Sequence, residues 1–175
     1  MIILIIGPEN RDAMSFKISE KDAKQILKNR IYEMVSRGIN HLVPAYVHAN
    51  NYKSTEMVDI VNESGRILLT HKKSGASFAM TAVPTPNDKG AYKVYKTDSE
   101  NVSTAGIILD MFPDLKNHLD KKVMPNAKSF AAREWKDSDD FERALDKVED
   151  EARHYMLDMP EIKEHRKFLL LDDVI

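Results

Sequence analysis

The residues best suited to chemistry are lysines and tyrosines in the middle of the chain. Residues 66–96 carry six basic side chains against one acidic side chain. The set of interest is Lys72, Lys73, Tyr92, Lys93, Tyr95 and Lys96. Aromatic rings stack on bases while ammonium groups contact phosphates, so this pattern predicts a nucleic-acid-binding surface. Lysines also occur on edge strands because they discourage aggregation, and that structural interpretation stays open.

The last quarter of the chain has the opposite charge. Residues 134–175 carry seven basic and fourteen acidic side chains, within a net charge of −2 for the whole chain. Four of these carboxylates fall on one predicted helix: Asp146, Glu149, Asp150 and Glu151. Such a helix would bind a basic protein surface, mimic nucleic acid, or fold back on the basic segment. The charge pattern therefore predicts a macromolecular partner, either nucleic acid or a basic protein surface, and leaves the oligomeric state open.

The loop after the first apolar run offers a different kind of site. Gly7 would let a phosphate approach the backbone, Arg11 would bind it, and Asp12 would bind a ribose hydroxyl or a metal. Over about 45 residues this opening resembles the strand, glycine, arginine and helix of nucleotide-binding, Rossmann-like DprA-like and lysine-decarboxylase-like proteins. It departs from them at residues 47–51, which read VHANN where a glycine-rich turn is expected. The alternative function is therefore a nucleotide-binding enzyme.

Several other chemistries are excluded or weakly indicated. The absence of cysteine excludes disulfides, thiolate metal sites, iron–sulfur clusters and cysteine nucleophiles. No Gly-x-Ser-x-Gly motif is present, and no nucleophile, base and acid are revealed by spacing alone. Asp110, Asp114 and Asp120 near His118 would suit acid–base catalysis or lie on a solvated helix surface. We predict no cofactor and no metal site, favour binding over catalysis, and leave enzymatic activity open.

The N-terminal elements are predicted from the period of the apolar residues. Residues 2–6 are apolar and β-branched and end at Gly-Pro, which predicts a strand central in its sheet. Ser19 and Asp22 form a capping pair for a helix that closes at Gly38 with a left-handed residue. Residues 39–47 then predict a second strand, completing a β-α-β unit. On that strand His41 and His48 would lie on opposite faces, since an odd number of residues separates them.

The rest of the chain predicts a meander followed by helices. Residues 54–61 favour a short helix, with a strand as the alternative, before alternating residues predict a three-stranded antiparallel meander at 66–96. Residues 103–123 predict two helices divided at Pro113, and 124–132 a loop. A capping pair at Asp139 and Glu142 begins an acidic helix, and Pro160 begins another. The fold class is therefore α+β, with a C-terminal helical layer.

Length and composition predict the domain organisation and the location of the protein. A chain of 175 residues suits one α+β core domain at 1–133 with an acidic helical segment at 134–175 packed on it. No apolar run approaches the roughly 20 residues that cross a bilayer, and no secretory signal is evident, so we expect a cytoplasmic protein without a membrane partner. The Lys-, Asn- and Met-rich composition resembles that of small accessory proteins of large bacteriophages. The favoured function is a non-enzymatic regulatory or accessory binding protein.

Overall fold

The protein has the α+β fold, described in a computed structural model for residues 2–6, 14–83, 94–99 and 104–165. The named elements, in chain order, are β1 (Ile2–Ile6), β2 (Met14–Ile18), α1 (Glu20–Arg37), α2 (Ile39–Ala49), β3 (Val58–Glu63), β4 (Arg66–His71), β5 (Ser77–Val83), β6 (Val94–Ser99), α3 (Thr104–Met111), α4 (Pro113–His118), α5 (Asn126–Ala131) and α6 (Ser138–Leu157). A π-helical turn at Leu119–Val123 follows α4, and residues 160–165 are also helical.

The chain divides into two compact units. Unit 1 comprises Met1–Met34 and Asp114–Tyr155, and unit 2 comprises Val35–Pro113 and Met156–Ile175. Each unit therefore contains two separate stretches of sequence. The division expected at residues 133 and 134 stays a prediction.

Unit 1 begins with a two-stranded antiparallel sheet. The strand predicted at residues 2–6 is confirmed as β1. Within the described residues β1 pairs with β2 alone, so its predicted central position in the sheet is not confirmed. The sequence pattern before Ser19 did not predict β2. Phe16 of β2 exchanges backbone hydrogen bonds of 2.9 and 2.8 Å with Trp135. Both side chains are buried and pack edge-to-face against Phe141, forming an aromatic core.

The helix predicted after Ser19 is confirmed as α1. The Ser19 hydroxyl accepts a hydrogen bond of 3.1 Å from the backbone N–H of Asp22, as an N-cap does. Ala23, Leu27 and Ile31 recur along its buried face. The left-handed closing residue at Gly38 is wrong, because its φ is −84° and its carbonyl accepts the N–H groups of His41 and Leu42, leading directly into α2.

The second strand of the predicted β-α-β unit is wrong. Residues 39–47 belong to α2, an 11-residue helix that contains Pro44 and buries Leu42, Val43, Ala45 and Val47. A short apolar run has the same composition in a buried helix and a buried strand, so its period could not distinguish them. Asn40 at the start of α2 accepts a hydrogen bond of 2.8 Å from the backbone N–H of Thr97 in β6.

The predicted meander is confirmed and gains a fourth strand. The order in the sheet is β3-β4-β5-β6, antiparallel throughout. The helix favoured at residues 54–61 is wrong, because residues 58–61 belong to β3 and pair with β4, and residues 54–57 are not helical. Ser64 and Gly65, with φ of 51° and 79°, form a two-residue hairpin turn that requires this left-handed backbone at both positions. Leu69, Phe78 and Met80 are buried on one face of the sheet.

The C-terminal helical layer is also confirmed. Pro113 begins α4 as predicted, and residues 160–165 form the helix expected at Pro160. The N-cap of α6 is Asp137 rather than Asp139, since Asp137 Oδ1 accepts a hydrogen bond of 2.8 Å from the backbone N–H of Asp140. The loop expected at residues 124–132 is wrong, because α5 occupies most of it. In the described residues no helix has both the length and the apolar character needed to cross a membrane.

Candidate nucleic-acid interface and neighbouring polar sites

Three lysines form a basic stripe along α1 in unit 1. Lys21, Lys24 and Lys28 are spaced three and four residues apart, so they share one face of the helix, and all three are exposed. They line an open cleft of about 540 Å³ together with Glu20, Gln25 and Met124. We call these three residues the lysine stripe. These lysines are not among the predicted binding residues, although their spacing within a predicted helix was a usable signal in the sequence.

The lysine stripe is only partly neutralised by neighbouring groups. Lys24 Nζ lies 3.9 Å from Glu20 Oε1, and both side chains are at least half exposed. Lys28 Nζ lies 5.3 Å from the centroid of the Tyr32 ring, within cation–π range. Among the described residues Lys21 makes no ion pair. The cleft therefore presents three ammonium groups against one carboxylate.

Two of the predicted nucleic-acid-binding lysines lie in unit 2, at the turn between β4 and β5. Lys72 and Lys73 line an open cleft of about 460 Å³ together with Glu56, Met57 and Asp110. We call it the hairpin cleft. Lys72 Nζ donates to the carbonyl of Thr55 at 2.9 Å. The two lysines face two carboxylates in the same cleft, so its charge is balanced.

The other predicted residues of the meander lie at the far end of the sheet or outside the described residues. Lys96 pairs with Thr81, which pairs with Arg66 at the start of β4, and Tyr95 pairs with Ala82. Lys72 follows six residues after Arg66, which corresponds to about 20 Å along a strand. Tyr92 and Lys93 are outside the described residues. The set thus spans the length of β4 rather than one compact patch.

A hydrogen-bonded chain of three side chains anchors the β4–β5 turn. Ser74 Oγ lies 2.7 Å from His71 Nδ1, and His71 Nε2 lies 2.8 Å from Asp110 Oδ2. His71 is buried, Ser74 is exposed and Asp110 of α3 is half exposed. This hydrogen-bonded chain was not predicted from the sequence. The spacing of His71 and Ser74 across a predicted turn was a local signal, whereas Asp110 lies 39 residues away from His71.

The acidic residues of α6 are largely engaged with arginines inside unit 1. Arg30 of α1 hydrogen-bonds with Glu149 at 2.6 Å, with Glu142 at 3.1 Å and with Asp146. Burial alone would lower the pKa of Arg30, but the hydrogen bonds with Glu149, Glu142 and Asp146 and the charge of Glu149 outweigh it, so this pKa is raised. The guanidinium therefore stays charged and holds three carboxylates together.

The remaining predicted partner-binding carboxylates differ in their surroundings. Glu149 is buried and also pairs with Arg153, which in turn pairs with Asp150 at 3.2 Å. Glu151 is exposed and makes no ion pair among the described residues. Asp146, Glu149 and Asp150 are therefore occupied within the chain, and of the four predicted residues Glu151 alone is both exposed and unoccupied there.

Three histidines converge in unit 2. Because α2 is a helix, His41 and His48 lie two turns apart on one face, which corrects the expectation of opposite faces. The His48 and His165 rings are 6.4 Å apart. Desolvation, together with the neighbouring His48 and His41, lowers the pKa of His165 to about 4. In the described residues no group of three His, Asp or Glu side chains is arranged to hold a metal ion.

Two of the three aspartates considered for acid–base catalysis, Asp110 and Asp120, have other partners. Asp110 bonds with His71, and Asp120 pairs with Lys116 at 3.1 Å. His118 stacks on the ring of Tyr155, with ring centroids 3.5 Å apart. Desolvation and the charge of Lys122 lower the pKa of His118. Neither aspartate bonds with His118 in the described residues.

The nucleotide site considered at Gly7, Arg11 and Asp12 lies outside the described residues, so it stays a prediction. Comparisons with protein-family profiles, curated proteins and solved structures found no match to this chain. A functional proposal must therefore rest on the chain's own residues.

Proposed function

We propose that this chain is an accessory protein that binds nucleic acid, with the lysine stripe of α1 as its principal phosphate-contacting surface. The observation that carries the proposal is the cleft in which Lys21, Lys24 and Lys28 stand against Glu20 alone. Clustered ammonium groups on one helix face attract phosphates and release condensed counterions on binding.

The dimensions of the stripe suit a nucleic acid strand. Lys21 and Lys28 are seven residues apart, which is about 10 Å along a helix axis. Phosphates along one strand of a duplex are about 3.4 Å apart along the axis, so the stripe matches about three of them. Tyr32, one turn beyond Lys28, adds a half-buried aromatic ring beside the ammonium group. Charge and spacing together favour a phosphate backbone over a small anion.

The predicted meander is the second surface for the same partner. Lys72 and Lys73 would add two phosphate contacts, but Glu56 and Asp110 line the same cleft and offset them. For this reason we rank the meander below the lysine stripe. For the rest of the predicted set, the proposed role in binding nucleic acid stays as the sequence predicts it: Tyr92, Lys93, Tyr95 and Lys96.

Binding of a basic protein through α6 is the less favoured form of the proposal. Asp146 and Glu149 already hold Arg30, and Asp150 holds Arg153, so a partner would have to displace these contacts. Glu151 is the exception. A regulatory role in the cytoplasm, as for a bacteriophage accessory protein, is the setting we propose from composition.

The test compares three variants that change charge without touching buried residues. Lys21, Lys24 and Lys28 are changed together to Glu in the first, and Lys72 and Lys73 in the second. The control changes three other exposed lysines, Lys136, Lys147 and Lys163, to Glu. Binding of labelled single- and double-stranded oligonucleotides is measured by fluorescence anisotropy from 50 to 200 mM salt.

We expect the first variant to lose most binding and the control to keep it, although both make the same change in net charge. The slope of log affinity against log salt should fall by about 2 to 3 in magnitude when three phosphate contacts are lost. Equal loss in the control would mean that net charge alone governs binding and would refute the stripe. Loss in the second variant alone would assign the interface to the meander, and no binding by the parent chain at 50 mM salt would end the proposal.

A further inference from the structure

The hydrogen bonds that join Ser74, His71 and Asp110 in unit 2 run in the direction that activates a serine hydroxyl. The backbone N–H of Ser74 points to His71 Nδ1 at 3.3 Å, so Nδ1 is the hydrogen-bond acceptor. The neutral imidazole then carries its proton on Nε2 and donates it to Asp110 Oδ2 at 2.8 Å. The hydroxyl of Ser74 donates its own proton to Nδ1 at 2.7 Å. The protons thus run from hydroxyl to imidazole to carboxylate.

Side chains that only stabilised the turn would not need all of these hydrogen bonds. The Ser74 hydroxyl oxygen already accepts the backbone N–H of Ala76 at 3.2 Å, which is sufficient to stabilise the turn. The chain continues beyond the turn through a buried imidazole to Asp110, which lines the hairpin cleft. Ser74 is exposed and follows directly after Lys73, which lines the same cleft. An accessible hydroxyl, a base and an orienting carboxylate are therefore present beside a cleft.

We propose that Ser74 is a nucleophile for acyl transfer, with His71 as its general base and Asp110 as the residue that positions His71. The substrate class is a carboxylic ester whose acyl part carries a negative charge, because Lys73 lines the adjoining cleft next to Ser74 and makes no ion pair among the described residues. The charge of Lys72 is instead engaged by Asp59 at 3.7 Å, and Asp110 is engaged by His71. This activity goes beyond nucleic-acid binding and depends on none of the residues of the lysine stripe.

The reaction balances with water as the second reactant. Ser74 Oγ attacks the ester carbonyl carbon while its proton passes to His71 Nδ1, and the carbonyl oxygen becomes negatively charged. Lys73 precedes Ser74 in sequence and lines the cleft, and its ammonium group would stabilise that negative charge. The carbon–oxygen bond to the leaving alcohol then breaks, and the alcohol takes the proton from His71. Water, deprotonated by His71, attacks the acyl-serine and releases the acid and the Ser74 hydroxyl.

The experiment measures covalent labelling by a serine-reactive fluorophosphonate, which forms a phosphorus–oxygen bond with the nucleophile and releases fluoride. The full chain is treated, its intact mass is recorded, and the labelled peptide is identified by mass spectrometry. Ser74→Ala removes the nucleophile, and Asp110→Asn keeps the shape but alters the partner of Nε2. Ser129→Ala removes an exposed serine on α5 and is the matched control.

We expect one label per chain on the peptide that contains Ser74, lost in Ser74→Ala and retained in Ser129→Ala. Asp110→Asn should slow labelling at least tenfold with a melting temperature close to that of the parent, a difference that a purely structural role would not produce. Hydrolysis of a nitrophenyl ester with an anionic acyl group should exceed that of its neutral counterpart and fall in Lys73→Ala. No labelling of the parent, or equal labelling of Ser74→Ala, overturns the proposal, and the lysine-stripe variant should label normally whichever way the oligonucleotide assay ends.

Discussion

Replacing Arg30 by alanine should destabilise the protein by leaving a buried carboxylate without its main partner. Arg30 reaches from α1 to Glu142, Asp146 and Glu149 of α6, and its own side chain is 25% exposed. Glu149 is the important member, because only 10% of its side chain is exposed, against 57% for Glu142 and 63% for Asp146.

The magnitude follows from these exposures. The two exposed carboxylates each contribute between about 0 and 1 kcal/mol, as solvated ion pairs do. Breaking a buried pair costs about 3 to 5 kcal/mol, but Glu149 keeps Arg153 as a second partner, so we assign about 2 kcal/mol to its loss. The free energy of unfolding should fall by about 2 to 4 kcal/mol in total. For a chain of this size that lowers the melting temperature by about 4 to 16 °C.

A double-mutant cycle with Glu149→Gln separates this explanation from a general packing defect. Urea unfolding of the parent, each single variant and the double variant gives the coupling energy between the two side chains. In the Arg30→Ala background, Glu149→Gln should cost less stability than it does in the parent, because Glu149 has already lost one of its two arginine partners. A coupling energy below about 0.5 kcal/mol would refute the reasoning and reduce the Arg30 contacts to ordinary surface pairs.

Three further predictions concern pH, a turn and the core. In the unfolded chain His165 titrates near 6.5, but in the folded chain near 4, so between these values the unfolded state binds more protons. Stability should therefore fall by up to about 3 kcal/mol as pH drops from 6.5 to 4, and His165→Gln should flatten that part of a urea-unfolding pH series. Ser64→Asn should raise the free energy of unfolding by about 0.5 to 1 kcal/mol, because Asn tolerates the left-handed φ of 51° better than Ser does; a lower melting temperature would contradict this. Trp135→Phe should cost about 2 to 3 kcal/mol, measured by circular dichroism in urea, since it leaves a void and removes the donor to the Phe130 carbonyl at 3.0 Å.

The elements that could be predicted are those whose signals are local. Ser19 caps α1 through the backbone three residues later, and the alternation after Arg66 gives the meander. Residues 39–47 could not be assigned from the sequence, because a nearly all-apolar run has no polar face to reveal its period. A proline in such a run is compatible with a strand edge or a bulge, whereas Pro44 is accommodated within α2. For β3 a turn signal was present at Ser64 and Gly65, but the short apolar run before it fitted a helix equally well.

The polar clusters were less accessible to sequence reasoning, because they join distant residues. The carboxylates held by Arg30 lie 112, 116 and 119 residues away in the chain. Counting charges in segments therefore gave an acidic C-terminal segment without revealing that its carboxylates meet an arginine of α1. The same holds for the step from His71 to Asp110, which depends on how α3 packs beside the hairpin turn.

The two charged faces of α1 allow a last prediction that connects stability with binding. At about 100° per residue, Arg30 lies roughly half a turn from Lys21 around the helix, so one side of α1 holds α6 while another carries the lysine stripe. Substitutions on the two sides of α1 should therefore affect stability and oligonucleotide binding separately. Below its lowered melting temperature, Arg30→Ala should retain the parent's oligonucleotide affinity within about threefold, because one distant charge changes little at 150 mM salt. The lysine-stripe variant should show the reverse, with affinity lost and the melting temperature nearly unchanged, and a variant set in which affinity simply followed melting temperature would contradict this division of α1.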